Sequence, residues 1–363
     1  MVFEKVKNWY GKYERPISSL SLIGGFVFDA LTLKRVDLLF ENLWVIGHLV
    51  IISVCMVIVH AMQKEEGDEA NPSKAHFWLV NIIQFVFGGV LSTYLVFYFR
   101  SSDIAVSWPF LFILALCFWA NESLKRQFVR LSFQVALLFL SFFSFAIFSV
   151  PVLMHQIGPW IFILSGIASL ISIWLFLLLI RHVAREEYEK SKKLQISLIA
   201  GIFIVVNVLY FTNLIPPIPL ALKDGGVYHS LKRDKQGNYI IEREKQSLKN
   251  YWTLYPDFHK APGEPLYVFS AIFSPAEFDT KIFHEWQYKD PATGKWLTKD
   301  LISLSIVGGR DGGFRTYSIK RTNIIEGHWR VNVKTVRGQV IDRIRFNVVL
   351  VDEKPELVQE TKK

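Results

Sequence analysis

LQISLIAGIFIVVNVLYFTNLI (residues 194–215), followed directly by PPIPLALKDGGVY (216–228), is where the chain changes character. The first run carries no charge. At 1.5 Å per residue its length suffices to cross a bilayer core of roughly 30 Å. Pro216, Pro217 and Pro219 then remove backbone donors and fix φ, so a helix must stop there. Gly225 and Gly226 allow a turn into a first strand. The link is short and stiff, which holds the strand-forming part close to the membrane surface. The expected architecture is therefore an α-helical membrane bundle, then an all-β domain.

Composition agrees. The chain has 363 residues, is 51% hydrophobic and contains 30 Phe, too apolar for one water-surrounded core. Residues 1–215 hold 17 Lys and Arg against 14 Asp and Glu, whereas residues 216–363 hold 24 against 18, so charge density rises at the prolines. The net charge of +9 is read as loop cations and contact with membrane lipid headgroups. No nucleic-acid motif accompanies it, and no nucleic-acid partner is expected. Cys55 and Cys117 both lie in apolar runs, so the β domain has no disulfide.

Residues 1–16 place Phe3, Val6, Trp9, Tyr10 and Tyr13 along one helical stripe with Lys5, Lys7 and Lys12 away from it, the pattern of a helix lying in the membrane interface. Asp29 interrupts the next apolar run, and no small-residue cleavage site precedes Lys34, so this start is read as retained. Seven apolar segments come next: Ile17 to Leu33, Leu38 to Met62, Phe77 to Phe99, Ile104 to Ala120, Val129 to Met154, Trp160 to Ile180, and Leu194 to Ile215. The first and fourth have 17 residues, the lower limit for a span. Cations collect in cytoplasmic loops. If all seven segments cross, one side holds 14 Lys and Arg and the other 3; if the first does not, the split is 7 against 10. Seven spans explain the charge better. They put the amino terminus in the cytoplasm and the β domain on the far side.

Inside the spans, the charges are Asp29 and, near an end, Glu41; His48, His60, Asn81, Gln84, Gln134 and Asn207 are polar points. An ionisable group at membrane depth is a functional candidate, because leaving it unpaired in lipid costs several kcal/mol. Asp29 is the intramembrane candidate. Its structural alternative is pairing with Lys34 or Arg35, or capping the tight connection before Asp37. Asn81 and Gln84 near Gly88, Gly89 and Ser92, and the face of Ser165, Gly166, Ser169 and Ser172, read as helix-packing contacts. Pro109 and Pro151 are the prolines that interrupt spans, and the last span has no lysine for a retinal Schiff base.

From Gly226 the pattern alternates in short runs separated by Gly, Pro and Asp. Eight strands are expected: Val227 to Arg233, Asn238 to Glu242, Leu266 to Ser274, Lys281 to Tyr288, Trp296 to Ile306, Phe314 to Arg321, His328 to Thr335 and Val340 to Val351. Their number and spacing suggest an antiparallel, immunoglobulin-like sandwich over 227–352, after a linker at 216–226 and before a polar tail at 353–363. A two-residue turn at Arg337-Gly338 fixes the last hairpin, with partners summing to 675. Val331 then faces Ile344, and Trp329 faces Phe346. The opposite face carries Arg330 against Arg345, Asn332 against Arg343 and His328 against Asn347. Directly opposed cations repel. This face either binds an anion or is a solvated surface with Glu or Asp supplied by a third strand.

Tyr251, Trp252, Tyr255 and Phe258 crowd one segment, while Trp286, Trp296 and Trp329 lie on strands; Trp252 and Trp286 are candidate sugar-stacking residues, and core packing is their alternative. His229, His259, His284 and His328 lack ligand spacing, so no metal is expected. No nucleophile motif or zinc signature occurs. Residues 308–313, GGRDGG, lack the Lys-Ser/Thr of a phosphate loop, and no cofactor is expected.

Gly25-Phe26, Asp29, Leu31-Thr32-Leu33, Arg35, Pro216-Pro217 with Pro219-Leu220, Tyr228-His229, His284-x-Trp286, Gly309-Arg310, Phe314-Arg315-x-Tyr317-Ser318 and Gly327-x-Trp329-Arg330-Val331 together resemble a family of bacterial multi-spanning inner-membrane proteins ending in a small β domain of unknown function. The resemblance covers nearly the whole chain. It implies a bacterial envelope location and transfers no catalytic or binding residue. Two readings stay open. One is a non-enzymatic inner-membrane protein whose periplasmic β domain binds an anionic or saccharide partner (envelope polysaccharide, peptidoglycan) or a periplasmic protein. The other is a transporter or membrane-embedded lipid-linked enzyme with its site around Asp29.

Overall fold

The computed structural model describes residues 23–33, 37–66, 74–123, 127, 130–245, 253–275, 279–308 and 312–362. They form two compact units. Residues 1–100 and 107–215 make the first, and Ser101–Val106 with Pro216–Lys363 the second.

The first unit is helical: α1 (Ile23–Thr32), α2 (Leu39–Glu66), α3 (Lys74–Arg100), α4 (Ile104–Ser123), α5 (Leu131–Met154), α6 (Pro159–Val183) and α7 (Arg185–Phe211), with α4 beginning in the segment grouped with the second unit. Six of these, α2 to α7, are long and apolar enough to cross a membrane. The seven-span expectation is thus met in six members, and the described residues hold only part of the first. α1 has ten residues and rises only about 15 Å, and residues 17–22 of that segment lie outside the described residues, as does the amphipathic stretch 1–16.

α5 is the centre of the bundle, packing on α2, α3, α6 and α7. Its sequence is apolar all round, which suits a helix surrounded by others. α6 and α7 instead turn Trp174, Leu175, Leu178, Ile204 and Val208 outward, as a lipid-facing helix does. The small-residue face on α6 does the work expected of it: a Cβ on Gly166 would come within 3.2 Å of the Phe203 ring, and Ser165 and Ser169 are buried. Pro109 and Pro151 break neither helix; both lie inside continuous elements. The charged stretch 185–193, read as loop, forms the first turns of α7. α7 also ends before the prolines, at Phe211, and Asn213 takes the left-handed conformation (φ 61°) that commonly closes a helix.

The described residues of the second unit hold eleven strands: β1 (Ala221–Tyr228), β2 (Ser230–Arg233), β3 (Tyr239–Glu244), β4 (Asp257–Lys260), β5 (Leu266–Phe273), β6 (Asp279–Lys289), β7 (Trp296–Val307), β8 (Phe314–Lys320), β9 (Gly327–Thr335), β10 (Val340–Leu350) and β11 (Leu357–Lys362). They pair as three sheets, ordered β1-β5-β8, β4-β10-β9-β6-β7 and β11-β3-β2. This is not a clear immunoglobulin sandwich, and the expectation of one is corrected on two counts. β4 pairs with β10 in parallel, and the β1-β5-β8 sheet is covered on both faces.

One face of that inner sheet, at Phe269 and Ala271, packs on Leu231, Tyr239 and Ile241 of the small sheet. The other meets the five-stranded sheet through Ser270 and Ser318, which both hydrogen-bond His284. The two-sided burial explains why β5 reads as a continuous apolar run, LYVFSAIF, rather than as an alternating one. Gly225 and Gly226 are strand residues within β1, not a turn, and the stretch read as a polar tail contributes β11, paired with β3.

The register of β9 and β10 is the expected one: Val331 opposite Ile344, Trp329 opposite Phe346, Arg330 opposite Arg345, Asn332 opposite Arg343 and His328 opposite Asn347. The turn differs. Thr335 and Gln339 bracket a three-residue loop with Gly338 at φ +90°, the three-residue hairpin that calls for a left-handed final residue. An irregularity between Val340 and Asp342 then shifts the register by one and restores the sum of 675.

Candidate functional site

The alternation of β9 and β10 sends Trp329, Val331, Ile344 and Phe346 into the core and their neighbours to the other side. The outer side is a lattice over four strands. One row runs Arg345, Arg330, Gln287, Thr298, and the next Arg343, Asn332, Glu285, Leu301. The expected third strand is thus β6, bringing Glu285 and Gln287.

Glu285 does not neutralise the arginines. Its carboxylate accepts from Asn332 Nδ2 at 2.7 Å and Thr298 Oγ1 at 3.1 Å, and pairs with Lys334. Burial raises its pKa, but hydrogen bonds from Lys334 and Asn332 bring it below the ordinary carboxylate value. Gln287 Oε1 accepts from Arg330 Nε at 2.8 Å and from Asn332 Nδ2 at 3.1 Å, and Asn332 Oδ1 accepts from Arg343 Nε at 2.9 Å.

The anion beside the arginines comes from Ser101–Val106. Asp103, nearly fully buried, places Oδ2 at 3.4 Å from Arg343 Nε and 3.1 Å from Arg345 Nη2. Its Oδ1 accepts the Ala105 backbone N–H at 2.8 Å, capping the start of α4. One carboxylate therefore caps a helix and bridges two guanidiniums. The cations still feel one another. Burial, then the charges of Arg343 and Arg345, lower the pKa of Arg330 to about 10. Next to them burial raises the Asp342 carboxyl to about 6, with the Asp103 charge pushing the same way.

At the other end of the face the Arg330 guanidinium sits 4.1 Å over the Trp296 ring. Tyr255 lies nearly parallel to Trp296, with centroids 6.3 Å apart, and 4.7 Å from the His328 ring. Trp296 and Tyr255 are half-exposed, and His328 is exposed. Trp286 is not part of this surface. It is 0% exposed, on the core side, with its indole N–H donating to Ser318 at 3.0 Å; core packing was its alternative. Trp252 lies outside the described residues.

A cleft of about 530 Å³ opens beside the arginines, lined among others by Gly225, Gly226, Arg243, Glu244, Arg343 and Arg345. Two of the four histidines that looked scattered, His229 and His259, meet beside it through Glu244. His229, buried and stacked on Phe258 at 4.1 Å, has Nδ1 at 2.9 Å from Glu264 and Nε2 at 3.2 Å from Glu244. Glu244 also accepts from the His259 ring at 2.7 Å and its backbone N–H at 2.6 Å. Burial raises the pKa of Glu244, and these bonds outweigh burial and lower it. Their sequence separations, 15 to 35 residues, leave no local motif.

In the helical unit Asp29 is half-buried, with Ser92 of α3 and His48 of α2 as its electrostatic neighbours; Lys34 and Arg35 lie outside the described residues. A second polar group was not anticipated as a cluster. His60, fully buried, contacts Gln134 at 3.0 Å and Glu187 at 2.6 Å, tying α2 to α5 and α7. Gln84 and Asn121 exchange amide-to-carbonyl bonds of 3.1 Å between α3 and α4, the packing role expected of Gln84.

Residues 279–348, from β6 into β10, match a family described as protein of unknown function (DUF2914). No curated protein matches the chain. Among solved structures, β-glucosidase from Listeria innocua in complex with isofagomine shares 13% identity over 32% of this chain and 17% of that one, with a TM-score of 0.20. The same enzyme in complex with glucose gives 13%, 33%, 17% and 0.19. The chain thus spans about 17% of the length of those enzymes. Pseudomonas fluorescens alkylpurine DNA glycosylase AlkC, bound to DNA containing an abasic site analog, shares 9% identity over 86% of this chain and 99% of that one, with a TM-score of 0.22. Scores this low carry no argument about fold or activity. The chain thus combines helices suited to a membrane with a β-rich unit that contains a region of unknown function.

Proposed function

We propose that this chain is a multi-pass inner-membrane protein of the bacterial envelope whose β-rich unit lies outside the cytoplasm and recognises an acidic saccharide. The observation that carries the reading is the outer face of β9 and β10, where Arg330, Arg343 and Arg345 share one surface with the half-exposed rings of Tyr255 and Trp296. Guanidiniums recognise carboxylate or phosphate, and an aromatic plane covers the apolar side of a sugar ring. Asp103, held by Arg343 and Arg345, marks the geometry a ligand anion would take in displacing it. The cation distribution over seven crossing segments supports the outward orientation of this unit.

The test is co-sedimentation of the full chain in nanodiscs with peptidoglycan, beside its Arg330→Glu/Arg345→Glu variant. Binding that salt weakens and the variant lacks supports the reading. Equal binding by both, or none, refutes it. A second reading, transport or lipid-linked chemistry in the helices, rests on Asp29 meeting His48 and Ser92 across three helices. Under it, Asp29→Asn abolishes function while the arginine variant retains it.

A further inference from the structure

Among the described residues three sheets have six edges, and five of them are blunted in the ways that discourage pairing with another chain. β2 (SLKR) and β4 (DFHK) have four residues each and carry charge. β11 (LVQETK) and β8 (FRTYSIK) carry charges along their length. β1 is irregular, with a register shift and two glycines.

β7 is the exception. It is the last strand of the five-stranded sheet, twelve residues long. Its protecting charges, Lys299 and Asp300, stand in the first half, where Asp300 is taken by Lys320. From Leu301 to Val307 it reads LISLSIV: seven residues without charge, Pro or Gly. Leu301 is 61% and Val307 51% exposed, and Ile302 and Leu304 are half-exposed on the core side. The irregularity of β7 lies at Lys299, before this segment, and from Leu301 to Val307 the pairing with β6 is unbroken; a regular apolar edge of this kind is a template for strand addition.

The segment also names its occupant. LISLSIV is a near-palindrome about Leu304. Laid antiparallel on a second copy, Leu301 meets Val307, Ile302 meets Ile306, Ser303 meets Ser305 and Leu304 meets itself. Each pair matches in size and polarity, and the serines can exchange hydroxyl bonds across the strands. A two-fold interface demands this self-complementarity.

We propose that β7 pairs antiparallel with β7 of a second copy through Leu301–Val307, centred on Leu304, joining two five-stranded sheets into one of ten strands. The arrangement makes a positional prediction. Residues directly opposite across an antiparallel pair have Cα atoms about 4.5–5.5 Å apart, within disulfide reach. Two copies of residue 301 would stand about 20 Å apart, at 3.3–3.4 Å per residue.

The test uses full-length protein in nanodiscs with Cys55→Ala and Cys117→Ala, oxidised with copper phenanthroline. Leu304→Cys is expected to give a covalent dimer, Leu301→Cys alone none, and Leu301→Cys/Val307→Cys a dimer again. Ser303→Lys/Ser305→Lys, which places cations opposite cations on the exposed side of the strand, is expected to leave a folded monomer by light scattering. A monomeric parent whose Leu304→Cys does not link, or linkage of Leu301→Cys as strong as that of Leu304→Cys, overturns the proposal.

Discussion

Acidification should weaken the contact between the inner and five-stranded sheets through one side chain. His284 is 0% exposed, with Ser270 Oγ at 2.9 Å from Nε2 and Ser318 Oγ at 2.8 Å from Nδ1, and Trp286 donates to the same Ser318. Two hydroxyls satisfy a neutral imidazole but do not neutralise a charged one, and burial lowers its pKa to about 3 from the ordinary 6.5. A His held neutral binds fewer protons folded than unfolded, so its stabilisation is complete above pH 6.5 and is lost as pH falls toward 3. One unit corresponds to about 1.36 kcal/mol, which makes the loss between pH 7 and pH 5 about 2 kcal/mol. Asp342 acts in the opposite sense. Its carboxyl, raised to about 6, binds more protons folded than unfolded, so it returns about 1 kcal/mol over the same interval. Together the two leave a net loss of about 1 kcal/mol, to which Glu244 and Glu285, held below the ordinary carboxylate value, add in the same sense as His284, so only the difference between wild type and His284→Gln isolates the histidine. Hydrogen exchange of β5 and β6 amides in the full chain reads the opening free energy. Wild type should lose about 2 kcal/mol relative to the variant between pH 7 and pH 5. Equal pH dependence in the two proteins would refute the reasoning.

Four further outcomes are expected from the geometry. Gly313 stands at φ +84°, and a Cβ there would meet the backbone of Ile272 at 2.8 Å; Gly313→Ala should destabilise the β5-β8 pairing by about 1–3 kcal/mol, read by the same exchange experiment. Gly166→Ile, driven into Phe203, should lower the melting temperature of the helical unit in detergent, at a cost of about 1–3 kcal/mol. His60→Leu leaves buried Gln134 and half-buried Glu187 without their shared partner and should cost about 1–3 kcal/mol in the same assay, whereas a lipid-exposed change such as Trp174→Leu should not. Asp103→Asn weakens the internal carboxylate clamp, so binding of an acidic polysaccharide in co-sedimentation should rise, and Arg345→Glu in the same background should remove the gain.

The parts legible in sequence are those with a local period. The six long helices announce themselves by unbroken apolar length, and the β9-β10 register by alternation that leaves one consistent apolar face. The turn is one residue longer than the alternation predicts, yet the register is the same, because the irregularity before Asp342 offsets the longer loop. Elements with no local signature were set by distant partners. β5 looks like any apolar run because both its faces are covered. β4 is four residues long and pairs in parallel with a strand some ninety positions away, and β11 is polar enough to pass for a tail. In the candidate site the arginines and His328 were visible as one strand face. Asp103 was not, since its loop position lies 242 residues from Arg345, and Tyr255 and Trp296 became neighbours only through the sheet order. Trp286 misled because a strand tryptophan shows its parity only once the core side of β6 is known.

The claim on which the rest depends is that the β-rich unit faces away from the cytoplasm. With Cys55→Ala and Cys117→Ala as background, Glu353→Cys places a thiol at an exposed position of this unit, and a membrane-impermeant maleimide applied to intact spheroplasts reads its side. The account predicts labelling in intact spheroplasts equal to that after lysis. Labelling only after lysis would put the unit in the cytoplasm and contradict the account.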